Sequence, residues 1–412
     1  MRIVIAGSSF FKDGGGIAPY NRELTKALVN EGHDVLAITS EQLDFSDWEI
    51  NHSQKVPVFS TVIPKTVNEE LRVAKAMFER VVQFDPDVLI SSNHVYLTSL
   101  FPCFADRRRR ITISHFYNGI LPKLAACRAQ DTDWIVALSH FGKSFLTARP
   151  NCIEKQVAIV YNSVEDVTFN VTENIARKMD EKTFRIVFPG GSSRHKSPDV
   201  IFKTIMKLAK TDLQWELIWL GPAEKYKRKI PSGISNSVIF TGLVSRAEAE
   251  QHILKAHCFI LPSKHEGCPM SLLEAIRGGV IPLVSDCPSA MREIIKNGIS
   301  GYVIPVGNSD MIANRLIEIA GNRSLREKLM REARNAYETQ VTIPIWMEKM
   351  STLITQRRSG RSKLGDTDIF NPQMVIRWPL KGGRWYKPTV SYLRTRFAFP
   401  IFTPIRGSSQ FK

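Results

Sequence analysis

One pattern, met twice along the chain, limits its fold more than any other feature: a short run of β-branched residues that enters a turn and then an amphipathic helix. In the first instance Arg2 to Ala6 leads to Gly14-Gly15-Gly16 and a helical run from Ala18 to Asn30, with Gly32 at a C-cap position and His33 to Thr39 as the next strand. Strand-like runs recur at Asp87 to Ser91, Arg110 to Ile113, Trp134 to Leu138 and Val157 to Tyr161. Between Glu165 and Lys182 the chain turns polar without strong periodicity and reads as a linker. The pattern then restarts with Phe184 to Pro189, Gly190-Gly191 and a helix from Pro198 to Ala209, followed by strands at Trp215 to Leu220, Val238 to Phe240, Cys258 to Leu261, Val280 to Val284 and Gly301 to Ile304. Strands that are apolar throughout belong in parallel sheets covered on both faces. The expectation is an α/β protein of two Rossmann-like domains whose strand ends face a central cleft, the place where open α/β sheets take ligands.

A chain of 412 residues exceeds what one core usually supports. The expected division is residues 1–165 and 183–340 for the two domains, 341–368 for a C-terminal helix and connection, and 369–412 for a basic aromatic tail. No uncharged apolar stretch of membrane-spanning length occurs, and the start runs at once into a glycine turn without the pattern of a secretory signal, so the expected location is the cytoplasm. Cys103, Cys127, Cys152, Cys258, Cys268 and Cys287 are scattered singly, which indicates neither a zinc site nor a disulfide framework.

The net charge of +16 is uneven: Thr355 to Lys412 holds twelve basic residues against Asp366 and Asp368, a net of +10. Within that tail Trp378, Trp385, Tyr386, Tyr392, Phe397, Phe399 and Phe402 alternate with Lys, Arg and five prolines, as expected either of a strap on the body or of an interfacial element. Arg107 to Arg110 follow Leu97, Leu100, Phe101 and Phe104. Cluster and tail together suggest docking on an anionic membrane, against the plainer reading of arginines at a helix C-terminus. No nucleic-acid motif accompanies the charge, and no nucleic-acid partner is expected.

The chemistry concentrates in residues 261–279, Leu-Pro-Ser-Lys-His-Glu-Gly-Cys-Pro-Met-Ser-Leu-Leu-Glu-Ala-Ile-Arg-Gly-Gly. Pro269 suits the first turn of a helix, which leaves the backbone amides of Met270, Ser271 and Leu272 pointing out of its start, a favourable seat for a phosphate. Glu274 inside the helix is placed to accept from ribose hydroxyls, and Glu266 in the preceding loop to reach a sugar. Glu266 and Glu274, with Ala-Ile-Arg-Gly-Gly after them, resemble the signature of glycosyltransferase family 4, the retaining enzymes of GT-B fold. The resemblance extends to Gly14-Gly15-Gly16 after the first strand, to Val136-Ala-Leu-Ser139 and Asn162-Ser-Val-Glu165, and to Asn297-Gly-Ile-Ser-Gly-Tyr-Val303.

The resemblance implies an N-terminal acceptor domain and a C-terminal nucleotide-sugar donor domain, with a diphosphate held between Gly15-Gly16 and Lys196. It implies retaining transfer from a nucleotide sugar to a glycan or lipid-linked acceptor, in surface polysaccharide or glycolipid synthesis; the basic tail adds the expectation of a protein peripheral to the inner face of the membrane. His115 matches a histidine that the family places near the donor sugar. The family's strand-end arginine is replaced by Gly190-Gly191, and Arg194 is the nearest substitute; Arg194 and Lys196 are expected to neutralise the leaving diphosphate. No Asp-x-Asp metal motif accompanies residues 261–279 or Lys196, and neither metal nor cofactor is expected. Two other readings share such a cleft, a non-transferring epimerase-like enzyme and an inactive binding module.

Overall fold

The computed structural model describes residues 1–11, 15–51, 54–61, 64, 66–115, 125–126, 128–149, 151–357 and 365–375. Gly14, Cys127 and the aromatic tail from 376 onward lie outside the described residues. In the first half the strands are β1 (Arg2–Gly7), β2 (Asp34–Thr39), β3 (Asp47–Asn51), β4 (Gln54–Ser60), β5 (Val88–Ser92), β6 (Arg109–Ser114), β7 (Trp134–Ala137) and β8 (Val157–Ile159). They form one eight-stranded sheet in the order β3-β4-β2-β1-β5-β6-β7-β8, parallel except for β3, which runs antiparallel to β4. The second half contributes β9 (Phe184–Phe188), β10 (Trp215–Leu220), β11 (Val238–Gly242), β12 (Cys258–Leu261), β13 (Ile281–Ser285) and β14 (Tyr302–Ile304), an all-parallel six-stranded sheet in the order β11-β10-β9-β12-β13-β14. These are the two Rossmann-like sheets expected from the strand pattern. Strand direction of growth reverses between β1 and β5 in one sheet and between β9 and β12 in the other, the switch points where such sheets open a crevice.

A shared core joins the halves. Tyr20, Leu138 and Val160 of the first half belong to the same buried cluster as Cys268 and Met270 of the second. Helix Ile343–Thr355 returns to the first sheet, where Trp346 meets Tyr20 edge-on at 5.2 Å and the Gln356 carbonyl accepts from Trp134 Nε1 at 3.0 Å.

Three expectations need correction. The polar stretch after Glu165 is not all linker: Val171–Met179 is a helix, started by the Asn170 side chain, which accepts from the amides of Thr172 and Glu173, and it buries Ile175 and Met179. Strands β3 and β4 are absent from the sequence reading, although β3, Asp-Trp-Glu-Ile-Asn, alternates as a strand covered on one face does; it is only five residues long, and β4 carries Pro57.

The third correction concerns Arg107 to Arg110, which do not form a surface for docking. Arg108 and Arg110 are fully buried, as are Leu97, Leu100, Phe101 and Phe104. Arg108 donates to the Pro86 carbonyl at 2.7 Å and to both oxygens of Asp368, while Arg110 donates to the carbonyls of Phe104 and Ala105. Arg107, paired with Asp85, stands half in solvent, and Arg109 is partly exposed. The partner Asp368 belongs to residues 365–375, which run as a strap over the first half. The Ala105 amide donates to Asp368 at 2.6 Å and Ile369 N to the Cys103 carbonyl at 2.8 Å, Phe370 lies 5.6 Å from Phe78, and Val375 is buried. Burial without these partners would strand a guanidinium in a dry interior, so cluster and strap explain each other.

Candidate active site

The loops that leave the switch points converge on a cavity of ≈ 730 Å³ between the two sheets. From the first half come Gly15 and Gly16, which precede helix Ile17–Asn30, and His115, which follows β6. From the second come Lys196 after β9, Ser245 and Arg246 after β11, and Glu266 to Ser271 with Glu274 after β12. Gly15 has φ +92, a conformation that favours glycine; Gly16 does not, and its place is open toward the cleft, where a Cβ would stand 3.7 Å from Met270 Cγ. The two helix starts therefore face each other. The loops touch at Gly267, where a Cβ would lie 2.3 Å from the His115 carbonyl oxygen.

Helix Met270–Arg277 begins one residue later than the sequence suggests, with Pro269 at its N-cap. Neither the Met270 nor the Ser271 amide has a hydrogen-bond partner among the described residues, and the helix dipole favours an anion there. The Leu272 amide is not available as expected, since it donates to the Pro269 carbonyl at 3.1 Å, and its side chain is fully buried. Glu266 is held by Ser263 Oγ at 2.7 Å and by Lys196 Nζ at 2.6 Å. The Lys264 amide donates to the His195 carbonyl at 2.8 Å, which ties the Glu266 loop to the turn that carries Lys196.

Arg194 does not join this group. It lies exposed at the start of the turn Arg194–Lys196 and does not line the cavity. Gly190-Gly191 leaves no place for an arginine either: a Cβ on Gly190 would fall 2.0 Å from the Phe188 ring, and Gly191, at φ +50, packs against Gly221. The cations that do line the cavity are Lys196, Arg22 and Arg246, the last two missed by sequence reading. Arg246 follows a capping box of Ser245 and Glu248 directly after β11, the same strand-turn-helix grammar that singled out residues 261–279. Arg22 lies three residues beyond Pro19, on the cleft-facing stripe of the first helix.

Electrostatics separate the titratable groups. Burial lowers the His115 imidazole to about 3, so it is neutral near pH 7; Ser92 Oγ lies 2.8 Å from its Nε2, and Tyr20 meets the ring edge-on at 4.6 Å. Burial raises the Glu274 carboxyl, and Arg246, 3.2 Å from Oε1, opposes that rise. A cavity with two open amides, a lysine and two anchored carboxylates suits a ligand that carries both phosphate and hydroxyls.

Two facing parallel sheets with this cleft at their switch points define the GT-B architecture. Residues 14–167 match the model "Glycosyltransferase Family 4" and residues 172–336 the model "Glycosyl transferases group 1". The chain is a glycosyltransferase. It is similar, at 33% identity over 117 residues, to the lipopolysaccharide 1,6-galactosyltransferase of Salmonella typhimurium, a match that spans 26% of this chain and 32% of that protein. It is similar at 20% identity to the alpha-monoglucosyldiacylglycerol synthase of Streptococcus pneumoniae, over 93% of this chain and 95% of the relative. Among solved structures, Anabaena Alr3699/HepE in complex with UDP shares the fold with a TM-score of 0.68 at 14% identity, covering 86% of this chain and 100% of that one.

Proposed function

We propose that the enzyme moves a sugar from a nucleoside-diphosphate sugar, with UDP the first choice of nucleotide, to a glycan or lipid-linked acceptor, with retention of anomeric configuration. The observation that carries this reading is the meeting of Gly16 with the open amides of Met270 and Ser271 across one cavity, with Lys196 and Glu266 paired beside them. In this reading the diphosphate sits between the two helix starts and Lys196 turns from Glu266 to the phosphate as charge develops on the leaving group. Glu274 accepts from the ribose, Glu266 binds and orients the donor sugar, and neutral His115 hydrogen-bonds a sugar hydroxyl. In a front-face reaction the departing phosphate oxygen takes the acceptor's proton, so no protein base is required.

The acceptor belongs to the first half, and the relatives' names, a lipopolysaccharide galactosyltransferase and a glucosyldiacylglycerol synthase, favour a surface glycan or glycolipid. A cytoplasmic enzyme peripheral to the membrane would meet such an acceptor, with residues 376–412 supplying the basic and aromatic side chains. Thermal stabilisation by a panel of nucleotide sugars, followed by slow donor hydrolysis, identifies the donor, and anomeric proton couplings of the product read the stereochemistry. Glu274→Ala is expected to weaken UDP binding and Glu266→Ala to lower turnover; wild-type kinetics in both would defeat the assignment.

A further inference from the structure

Glu274 presents a problem that its role as a ribose acceptor does not solve. A carboxylate shut away from water tends to take up a proton, and a neutral carboxyl is a weaker acceptor for hydroxyls than a charged one. The charged groups around it are Arg246 and Glu250 on helix Arg246–Lys255, Arg277 on its own helix and Glu23 on helix Ile17–Asn30; Arg334 of helix Arg323–Gln340 donates to the Arg277 carbonyl at the end of the Glu274 helix. Arg277 is engaged by Glu250 and by the Glu165 carbonyl, and Arg334 by Asp166 and Glu338. Among the described residues, Arg246 alone sets a cation within hydrogen-bonding distance of the Glu274 carboxylate.

Geometry divides the labour. Arg246 Nη2 takes Oε1 at 3.2 Å, while Oε2 has no hydrogen-bond partner among the described residues. The same nitrogen lies 3.8 Å from Oε1 of Glu23, a nearly buried carboxylate of the first half. The capping box fixes the backbone beneath it, with the Glu248 amide on Ser245 Oγ at 3.2 Å and the Ser245 amide on Glu248 Oε2 at 2.9 Å. One guanidinium thus stands between a carboxylate of each half, at the edge of the cavity.

Resting on the donor reading above, we propose that Arg246 is a positioning residue that keeps Glu274 ionised with Oε2 turned to the ribose, and that its contact with Glu23 links nucleotide binding to the approach of the first half. The arrangement makes two separable demands. Removing the cation should expose Glu274 to protonation, so nucleotide affinity becomes sensitive to pH. Removing the Glu23 charge should leave nucleotide affinity intact but impair the step that needs both halves together.

The test is calorimetric titration of UDP, and of GDP in parallel, between pH 5.5 and 8.5 on the full chain. The terminal phosphate of UDP itself takes up a proton within this range, so the readout is the ratio of wild-type to variant affinity, which is expected to be about tenfold for Arg246→Gln near pH 8 and to grow as the pH falls, a loss in the range of a charged hydrogen bond. Arg246→Lys should bring that ratio back toward one across the range, which a merely misfolded variant would not show. Glu23→Gln should keep UDP affinity within about threefold of wild type while turnover drops roughly tenfold, the scale of a modest coupling between sites. Equal affinity of wild type and Arg246→Gln at every pH overturns the proposal. If the wild type binds neither nucleotide, the donor reading itself falls and takes this inference with it.

Discussion

Residues 261–279 and residues 101–115 are alike on paper, each a set of charged side chains among apolar ones where a strand meets its neighbours, yet they end in opposite states. In the second half Lys196, Glu266 and Glu274 keep partial access to the cavity, at 18%, 10% and 10% side-chain exposure, and each retains capacity for a ligand. In the first half Arg108 and Arg110 have no exposure; Arg108 donates to the Pro86 carbonyl and to Asp368, and Arg110 Nη2 to the carbonyls of Phe104 and Ala105. The difference lies in where the partners come from. Glu266 finds Ser263 three residues away and faces a gap between two sheets, whereas Arg108 finds a carboxylate 260 residues further along, brought back by the strap. A cluster of charge marks a surface only when the rest of the chain leaves it uncovered.

Breaking this contrast should give its largest effect in the first half. Arg108→Ala leaves Asp368 of the strap without its buried cation and is expected to destabilise the fold by about 3–5 kcal/mol, read from urea unfolding. The Asp368 carboxyl is held below its usual range by the Arg108 guanidinium and the Ala105 amide, against the opposing pull of burial. A lowered native value means that the strap's contribution is complete above about pH 4 and fades as pH falls through that value, and Asp368→Asn should show no such fade.

In the second half the expected losses fall on rate rather than on stability. Lys196→Ala should lower kcat by about 10²–10³, with an unchanged unfolding midpoint, if it stabilises the leaving diphosphate. Gly267→Ala forces a methyl onto the His115 carbonyl, and the displacement needed at the junction of the halves should reduce kcat/KM roughly 10²-fold. Arg107→Ala is the smallest: its pair with Asp85 is half exposed on both sides, so a change of under about 1 kcal/mol is expected. A large effect there would blur the distinction between the buried Arg108 and Arg110 and the exposed Arg107.

Much of the architecture was legible because apolar strands in parallel sheets announce themselves: Phe184 to Phe188 and Cys258 to Leu261 appear in the sheet as they read in the sequence. The part of the cavity built from one contiguous stretch was also legible, since a proline before a helix start and two glutamates at fixed spacing are local signals. Leu272 was misassigned because the helix starts one residue later, a shift that sequence alone does not fix, and its amide closes on Pro269. Arg194 is the arginine nearest in sequence to Gly190-Gly191, but the turn leaves it exposed. Arg246 and Arg22 come from other loops and from a helix face, and only the meeting of two sheets brings them to the same cavity. The buried fate of Arg108 depended on Asp368, a contact across most of the chain that no periodicity encodes.

The most direct test of the account is a crystal structure of the enzyme soaked in saturating UDP. The diphosphate is expected within hydrogen-bonding distance of the Met270 and Ser271 amides, with Gly16 on its other side, Lys196 released from Glu266 and a ribose hydroxyl on Glu274. UDP bound elsewhere, or a cleft that stays empty at saturation in solution, would contradict it.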